Sequence, residues 1–183
     1  TTLLAKTVME MQLEDAAVKR MKPVRIMVPA DIRKLNNSRT LRNCALYALP
    51  TMEVSQQHLD LRQLCEVFSA QLKEQASPEN LAAMASANVR IQKLRIFNIL
   101  TWKLKAAALR LGYRFFGESN SSLTLTNLGR VIFSEELKAH VVDLKCYMPP
   151  RVSSPYGCTI LTFGDKLTLN MSSFCPEDEL GRR

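Results

Sequence analysis

The chain contains no run of about 18 or more apolar residues, so nothing in it reads as a membrane-spanning helix. It has no charged-then-apolar start followed by a small-residue cleavage site, so no signal peptide is visible; the first residue, Thr1, suits a processed or excised chain. Glycine is scarce, with six in 183 residues, and no Walker loop, G-x-G-x-x-G or G-x-S-x-G elbow occurs. The usual phosphate cradles and the serine-hydrolase turn are therefore missing. Histidine is scarcer still. His58 and His140 belong neither to H-E-x-x-H nor to a Cys/His cluster with ligand spacing, which predicts no metal site and a surface or structural role for both. The five cysteines, Cys44, Cys65, Cys146, Cys158 and Cys175, are odd in number and include no C-x-x-C pair. Zinc-ribbon and thioredoxin-like readings fail on that spacing. Four of the five sit in apolar stretches, which predicts reduced thiols and a cytoplasmic protein. A Cys–His pair assembled by the fold is the one nucleophilic arrangement these counts leave open.

What is present is an ordinary globular composition, 46% hydrophobic and 23% charged, in a length that suits one domain. The net charge is +8 and is unevenly spread: Arg90, Lys93, Arg95, Lys103, Lys105, Arg110 and Arg114 follow one another without an acidic residue. Such a run can be a solvated helix surface or can attract nucleic acid, anionic lipid or a phosphate-bearing cofactor. Basic residues and aromatics do not interleave in a strand pattern, and no zinc-finger or homeodomain signature occurs, so nucleic acid is disfavoured.

Leu4, Val8, Met11 and Val18 recur at helical spacing and predict a helix over about residues 3–20, stopped before Pro23. Val24, Ile26 and Val28 alternate with Arg25 and Met27, predicting a strand closed by Pro29. A second strand is expected over 44–49, ended by Pro50. Asp60 with Gln63 forms a capping-box pattern ahead of a stripe of Leu61, Leu64, Cys65, Phe68 and Leu72. Ser77-Pro78-Glu79 opens a further helix expected to run, with a break near Val89, to about Phe116 and to stop at Gly117. Its apolar residues from Ile91 to Phe116 occupy nearly all sides, so it lacks the clean polar face of a membrane-surface helix. Strands are expected over 121–127, 141–148, 158–163 and 166–171, the last two joined by the hairpin turn Gly164-Asp165, with a Ser134-capped turn before His140. A final helix is expected from Pro176. Helices bracketing such strands predict an α+β two-layer sandwich, a mixed β-sheet packed against helices, and not a doubly wound parallel sheet.

Several segments carry a family resemblance. Val28-Pro29-Ala30-Asp31-Ile32-Arg33 followed by Ser38-Arg39-Thr40-Leu41-Arg42-Asn43 is similar to V-P-x-x-I/L-R and S-x-T-L-R-N of the CoA-dependent acyltransferases with the condensation-domain, chloramphenicol-acetyltransferase-like fold. The bacterial alcohol-acetyltransferase-like branch resembles it best. Ser121 to Gly129 resembles that family's S-x-L-S-L-S-N-L-G strand, and Pro155-Tyr156-Gly157-Cys158 with Gly164-Asp165-Lys166-Leu167 resembles its late hairpin. The likeness spans nearly the whole chain in the family's order.

The resemblance implies one C-terminal half-fold over residues 1–183, with the catalytic N-terminal half absent. In the family, two similar halves enclose a tunnel, and a His of H-H-x-x-x-D in the first half acts as general base on an acyl thioester's acceptor, a role suited to imidazole near neutral pH. That motif does not occur here, since His58 is followed by Leu59-Asp60, so no catalytic residue is carried over. The D-F-G-W-G of peptide-synthetase condensation domains is absent too, which points to simpler acyltransferases. The implied function is acyl transfer from a CoA-type thioester to an alcohol or similar acceptor, with acyl-CoA as substrate of the full enzyme and this chain inactive alone. Thr126, Asn127 and Gly129 are implied to lie near the tunnel, or else Asn127 and Gly129 shape a strand-end turn. Arg33, Arg39, Arg42 and Asn43 are candidates to meet CoA phosphates, which Arg's fork of donors suits, or else pair with nearby acids such as Asp31. The implied partner is the N-terminal half, or a second copy when the chain is isolated. The alternative is a stand-alone basic module for anionic partners.

Overall fold

A computed structural model describes residues 1–14, 21–33, 35, 37–93, 101–116, 121–149, 154 and 156–173. It is an α+β fold: an open mixed sheet with helices. Helix α1 (Thr2–Glu14) leads into strand β1 (Val24–Asp31), followed by β2 (Ala45–Ala48) and β3 (Thr51–Met52). Helices α2 (Leu61–Gln75), α3 (Pro78–Lys93) and α4 (Trp102–Phe116) precede β4 (Leu123–Val131). The short helix α5 (Glu135–Lys138) is followed by β5 (Tyr156–Phe163) and β6 (Lys166–Ser173). The sheet order is β2-β1-β4-β5-β6, with β3 also on β1. Strands β1, β4 and β5 are mutually parallel neighbours, and β2, β3 and β6 run antiparallel to theirs.

The core lies on one sheet face. Val24 and Ile26 of β1, Leu123 and Leu125 of β4 and Cys158 of β5 meet Ala5, Val8 and Met9 of α1 and Leu64 and Phe68 of α2. Alternation along each strand then sends Met27, Thr124, Thr126, Gly157, Thr159, Leu161 and Asn170 to the opposite face. The stripe on α2 is narrower than its spacing predicts. Leu64 and Phe68 are buried, while Leu61 and Cys65 are exposed, because α1 covers only one side of the helix.

Both helix-start signals form. Asp60 accepts from the Gln63 N–H at 2.8 Å and Gln63 answers on the Asp60 N–H; the Ser77 hydroxyl accepts from the Asn80 N–H. Pro50 interrupts the edge as the sequence suggests, with β2 ending at Ala48 and β3 starting at Thr51, whereas Pro29 does not close its strand. Pro29 stays within β1 and pairs with Tyr47. Its missing N–H falls on the side toward β4, where pairing has already ended at Met27–Thr124. Pro50 accepts the Ile26 N–H but returns none, so it splits one edge strand into β2 and β3 without shifting the register. The first helix ends among the described residues at Glu14; the expected stretch to residue 20 lies outside them. Helix α3 continues through Val89 to Lys93, with no break there, and the chain resumes helix at Trp102. The expected stop at Gly117 and the helix from Pro176 lie outside the described residues. Residues 141–148 are not a strand. Leu144, Cys146 and Met148 turn inward alternately with exposed Lys145 and Tyr147, but the segment joins no ladder.

The β2–β3 edge is covered by glutamines of α2. Gln71 accepts the Thr51 N–H at 2.7 Å and donates to the Thr51 carbonyl at 3.0 Å, as a neighbouring strand would, and Gln75 accepts the Leu49 N–H. Gln71→Leu therefore leaves two half-buried backbone groups unpaired. The expected loss is about 1–3 kcal/mol, read as a lower urea midpoint at unchanged slope; a midpoint equal to the wild type contradicts the role.

Candidate functional site

The carboxyl ends of parallel strands are where ligands bind in open α/β sheets, and here one end of the sheet is irregular. In β4 the register against β5 moves from Asn127–Ile160 to Arg130–Thr162, so Leu128 and Gly129 together oppose Leu161. Two residues facing one make a β-bulge. Asn127 builds it: its Oδ1 accepts the Gly129 N–H at 2.9 Å, and Gly129 takes φ +67°, which a residue without Cβ adopts freely. Beyond the bulge, Arg130 reaches across and its Nη2 donates to the Gly164 carbonyl of the β5–β6 turn at 3.4 Å.

This corner frames an open cleft of about 530 Å³. Its apolar wall includes Phe133 and Phe163, whose rings are tilted at 60° with centroids 5.6 Å apart. Its polar groups are Arg130, Lys138, Glu135 and Asp165, with Lys138 Nζ 3.7 Å from Glu135 Oε1. Among the described residues that line it, two cations and two carboxylates balance in charge, and there is no His, Cys, Ser or Thr. Such a lining can hold and orient a ligand with apolar and charged parts, but it offers no imidazole or thiol for proton or acyl transfer. Both His58 and His140 are exposed, and neither is among the residues that line it, although His140 directly precedes Val141 of its wall. Among the described residues no group of three or more His, Cys, Asp or Glu could hold a metal ion, and no helix is long and apolar enough to cross a membrane.

The residues singled out in the sequence fall in three places. Asn127 and Gly129 form the bulge, and their polar capacity is turned inward to hold it. Thr126 stands just before the bulge, half-buried on the sheet face away from the helices, opposite Thr159. Arg33, Arg39, Arg42 and Asn43 occupy the β1–β2 loop, at the same end of the sheet but outside the cleft's lining. Arg33 pairs with Asp31 at 3.3 Å, both well exposed, a contact of about 0–1 kcal/mol. Asn43 accepts the Ala45 N–H and so starts β2. Arg39 and Arg42 are exposed.

Sequence reasoning did not reach Arg130, Lys138 or the paired phenylalanines. The signal was the Arg that follows N-L-G, which the bulge turns toward the Gly164-Asp165 hairpin. It also passed over a second feature. Thr159 Oγ1, Asn170 Nδ2 and Ser154 Oγ are buried and have no hydrogen-bond partner among the described residues.

The cysteines sort by position. Cys65 is exposed and Cys158 is in the core. Burial pushes the Cys158 thiol above its ordinary 9.0. A raised folded-state pKa means the native chain keeps this proton longer than the unfolded one. Its contribution is complete below pH 9.0 and is lost as pH rises through the folded value. Stability should therefore fall above pH 9.0, and iodoacetamide should modify Cys65 in the native state while Cys158 reacts only on unfolding. Equal native labelling of both contradicts this placement.

Comparison of the sequence with family models and with curated proteins returns no match.

Proposed function

We propose that this chain is the C-terminal half of a CoA-dependent, alcohol-acetyltransferase-like acyltransferase, working in the cytoplasm. It supplies one wall of a tunnel in which an acyl group passes from a CoA thioester to an alcohol or similar acceptor. One observation carries the reading: the two motifs that resemble this family, N-L-G and Gly-Asp-x-Leu, are 37 residues apart in the chain yet meet at one cleft through Arg130 and Gly164. A lining whose described residues bring charged and apolar groups but no imidazole fits a half that holds substrate while a partner half carries the imidazole. The exposed Trp102, Leu104, Leu109 and Leu111 of α4 are surface for that half to cover. When the chain is isolated, a second copy would take its place.

The test mixes this chain with the H-H-x-x-x-D half of an alcohol acetyltransferase and follows thiol release from acetyl-CoA in the presence of a primary alcohol. The expected result is no release above buffer by the chain alone and release by the mixture, abolished when the partner's motif His is replaced. No release from the mixture, together with no acetyl-CoA-dependent thermal shift of the chain, removes the reading.

A second reading, a basic module for anionic partners, rests on exposed Lys103 and Arg110 in a helix without acidic residues. Salt-dependent retention on anionic liposomes or DNA would favour it, with a slope set by the number of charges engaged.

A further inference from the structure

We propose that Thr159 and Asn170 form a hydrogen-bonding subsite for the acyl carbonyl of the ligand, an inference that rests on the acyltransferase reading above. Thr126, Thr159 and Asn170 are register partners across β4, β5 and β6 and therefore stand side by side on the sheet face away from the helices. Thr126 is half-buried, while Thr159 is 1% and Asn170 9% exposed. Thr159 Oγ1 and Asn170 Nδ2 have no partner among the described residues. An unpaired buried donor is costly, and native proteins keep few of them without a use.

The chemistry of the two unpaired groups narrows their partner. An amide N–H₂ can only donate, and a threonine hydroxyl can donate beside it, so the pair calls for an acceptor oxygen. No cation stands in the row, and its neighbour Leu161 is fully buried, so a charged oxygen would be desolvated without compensation. A neutral carbonyl, as in a thioester or an ester, meets both conditions. Access is from the Thr126 side, the least buried of the three. Thr126, already placed beside the tunnel by resemblance, thus becomes the entrance to a deeper pair that spacing alone does not mark.

The experiment reads the side-chain amide signals of Asn170 by nitrogen-15 NMR, with acetyl-CoA, hexyl acetate and free CoA as separate probes. Acetyl-CoA and hexyl acetate should move the signals downfield, and free CoA, which lacks the acyl carbonyl, should not. A shift with hexyl acetate alone supports the subsite with an ester as its source and counts against the thioester. A thermal shift with acetyl-CoA but no change at Asn170 overturns the subsite and leaves the acyltransferase reading standing. In parallel, Thr159→Val should raise the melting temperature of the free chain by about 2–4 °C, since it removes an unpaired buried hydroxyl. It should also weaken the probe about tenfold, whereas Thr159→Ser retains binding. If Thr159→Val instead lowers the melting temperature and leaves the probe response unchanged, an ordered water holds the hydroxyl and the proposal fails.

Discussion

Phe68→Ala lowers the stability of the chain by about 3–5 kcal/mol, which for a protein of this size corresponds to roughly 6–20 °C in melting temperature. Phe68 is among the largest fully buried side chains, at 1% exposure, and it lies where three elements meet. It projects from α2 into the cluster that α1 forms with β1 and β4. Truncation removes apolar surface and leaves a hole that cannot collapse easily. Backbone hydrogen bonds hold β1 on both sides, and Gln71 holds α2 to the edge of the sheet. Leu61→Ala on the same helix is the control. Its side chain is 40% exposed, so its loss should stay under about 1 kcal/mol. Urea unfolding of the two variants gives the comparison. A Phe68→Ala loss as small as that of Leu61→Ala would mean that α2 does not pack as described.

The contrast between Phe68 and Leu61 shows where sequence patterning reaches and where it stops. Period places Leu61, Leu64, Cys65, Phe68 and Leu72 on one stripe, but only the neighbour present in space decides how wide a stripe is buried. Signals completed within a few residues were legible: the Asp60–Gln63 box, the Ser77-Pro78 start and the Gly164-Asp165 hairpin all form. Signals that depend on which side of a strand a donor faces were not. Pro29 reads as a strand end, yet it sits where its missing N–H interrupts little. Alternation over 141–148 was real, but a strand also needs a partner with free backbone groups, and this segment crosses the sheet face instead of extending its edge. The candidate site follows the same division. Asn127 and Gly129 were visible as turn chemistry, and the bulge makes use of that chemistry. Arg130 and Lys138 needed the fold to bring them together, and the Thr159–Asn170 row reads in sequence only as ordinary strand residues.

Gly157→Val is expected to cost about 3 kcal/mol and to lift the 141–149 segment from the sheet. Gly157 lies on the face away from the core, opposite Ser172. An added Cβ would come 2.8 Å from Ser172 Oγ, 3.1 Å from the Met148 carbonyl oxygen and 3.4 Å from Met148 Cβ. The Ser172 hydroxyl donates to that same Met148 carbonyl, so it cannot rotate away without giving up the bond that ties the segment down. Alanine should therefore already cost about 1 kcal/mol, and the branched carbons of valine meet main-chain atoms that have no flexible end to move. Two measurements separate this from a general loss of packing. Cys146, half-buried two residues before Met148, should be alkylated faster in the native Gly157→Val protein, while Cys158 in the core stays protected. In a Ser172→Ala background the cost of Gly157→Ala should shrink, because the nearest clashing atom is gone, and the coupling appears as non-additivity of the two changes. Additive costs with unchanged Cys146 labelling would show that the segment does not rest on Gly157.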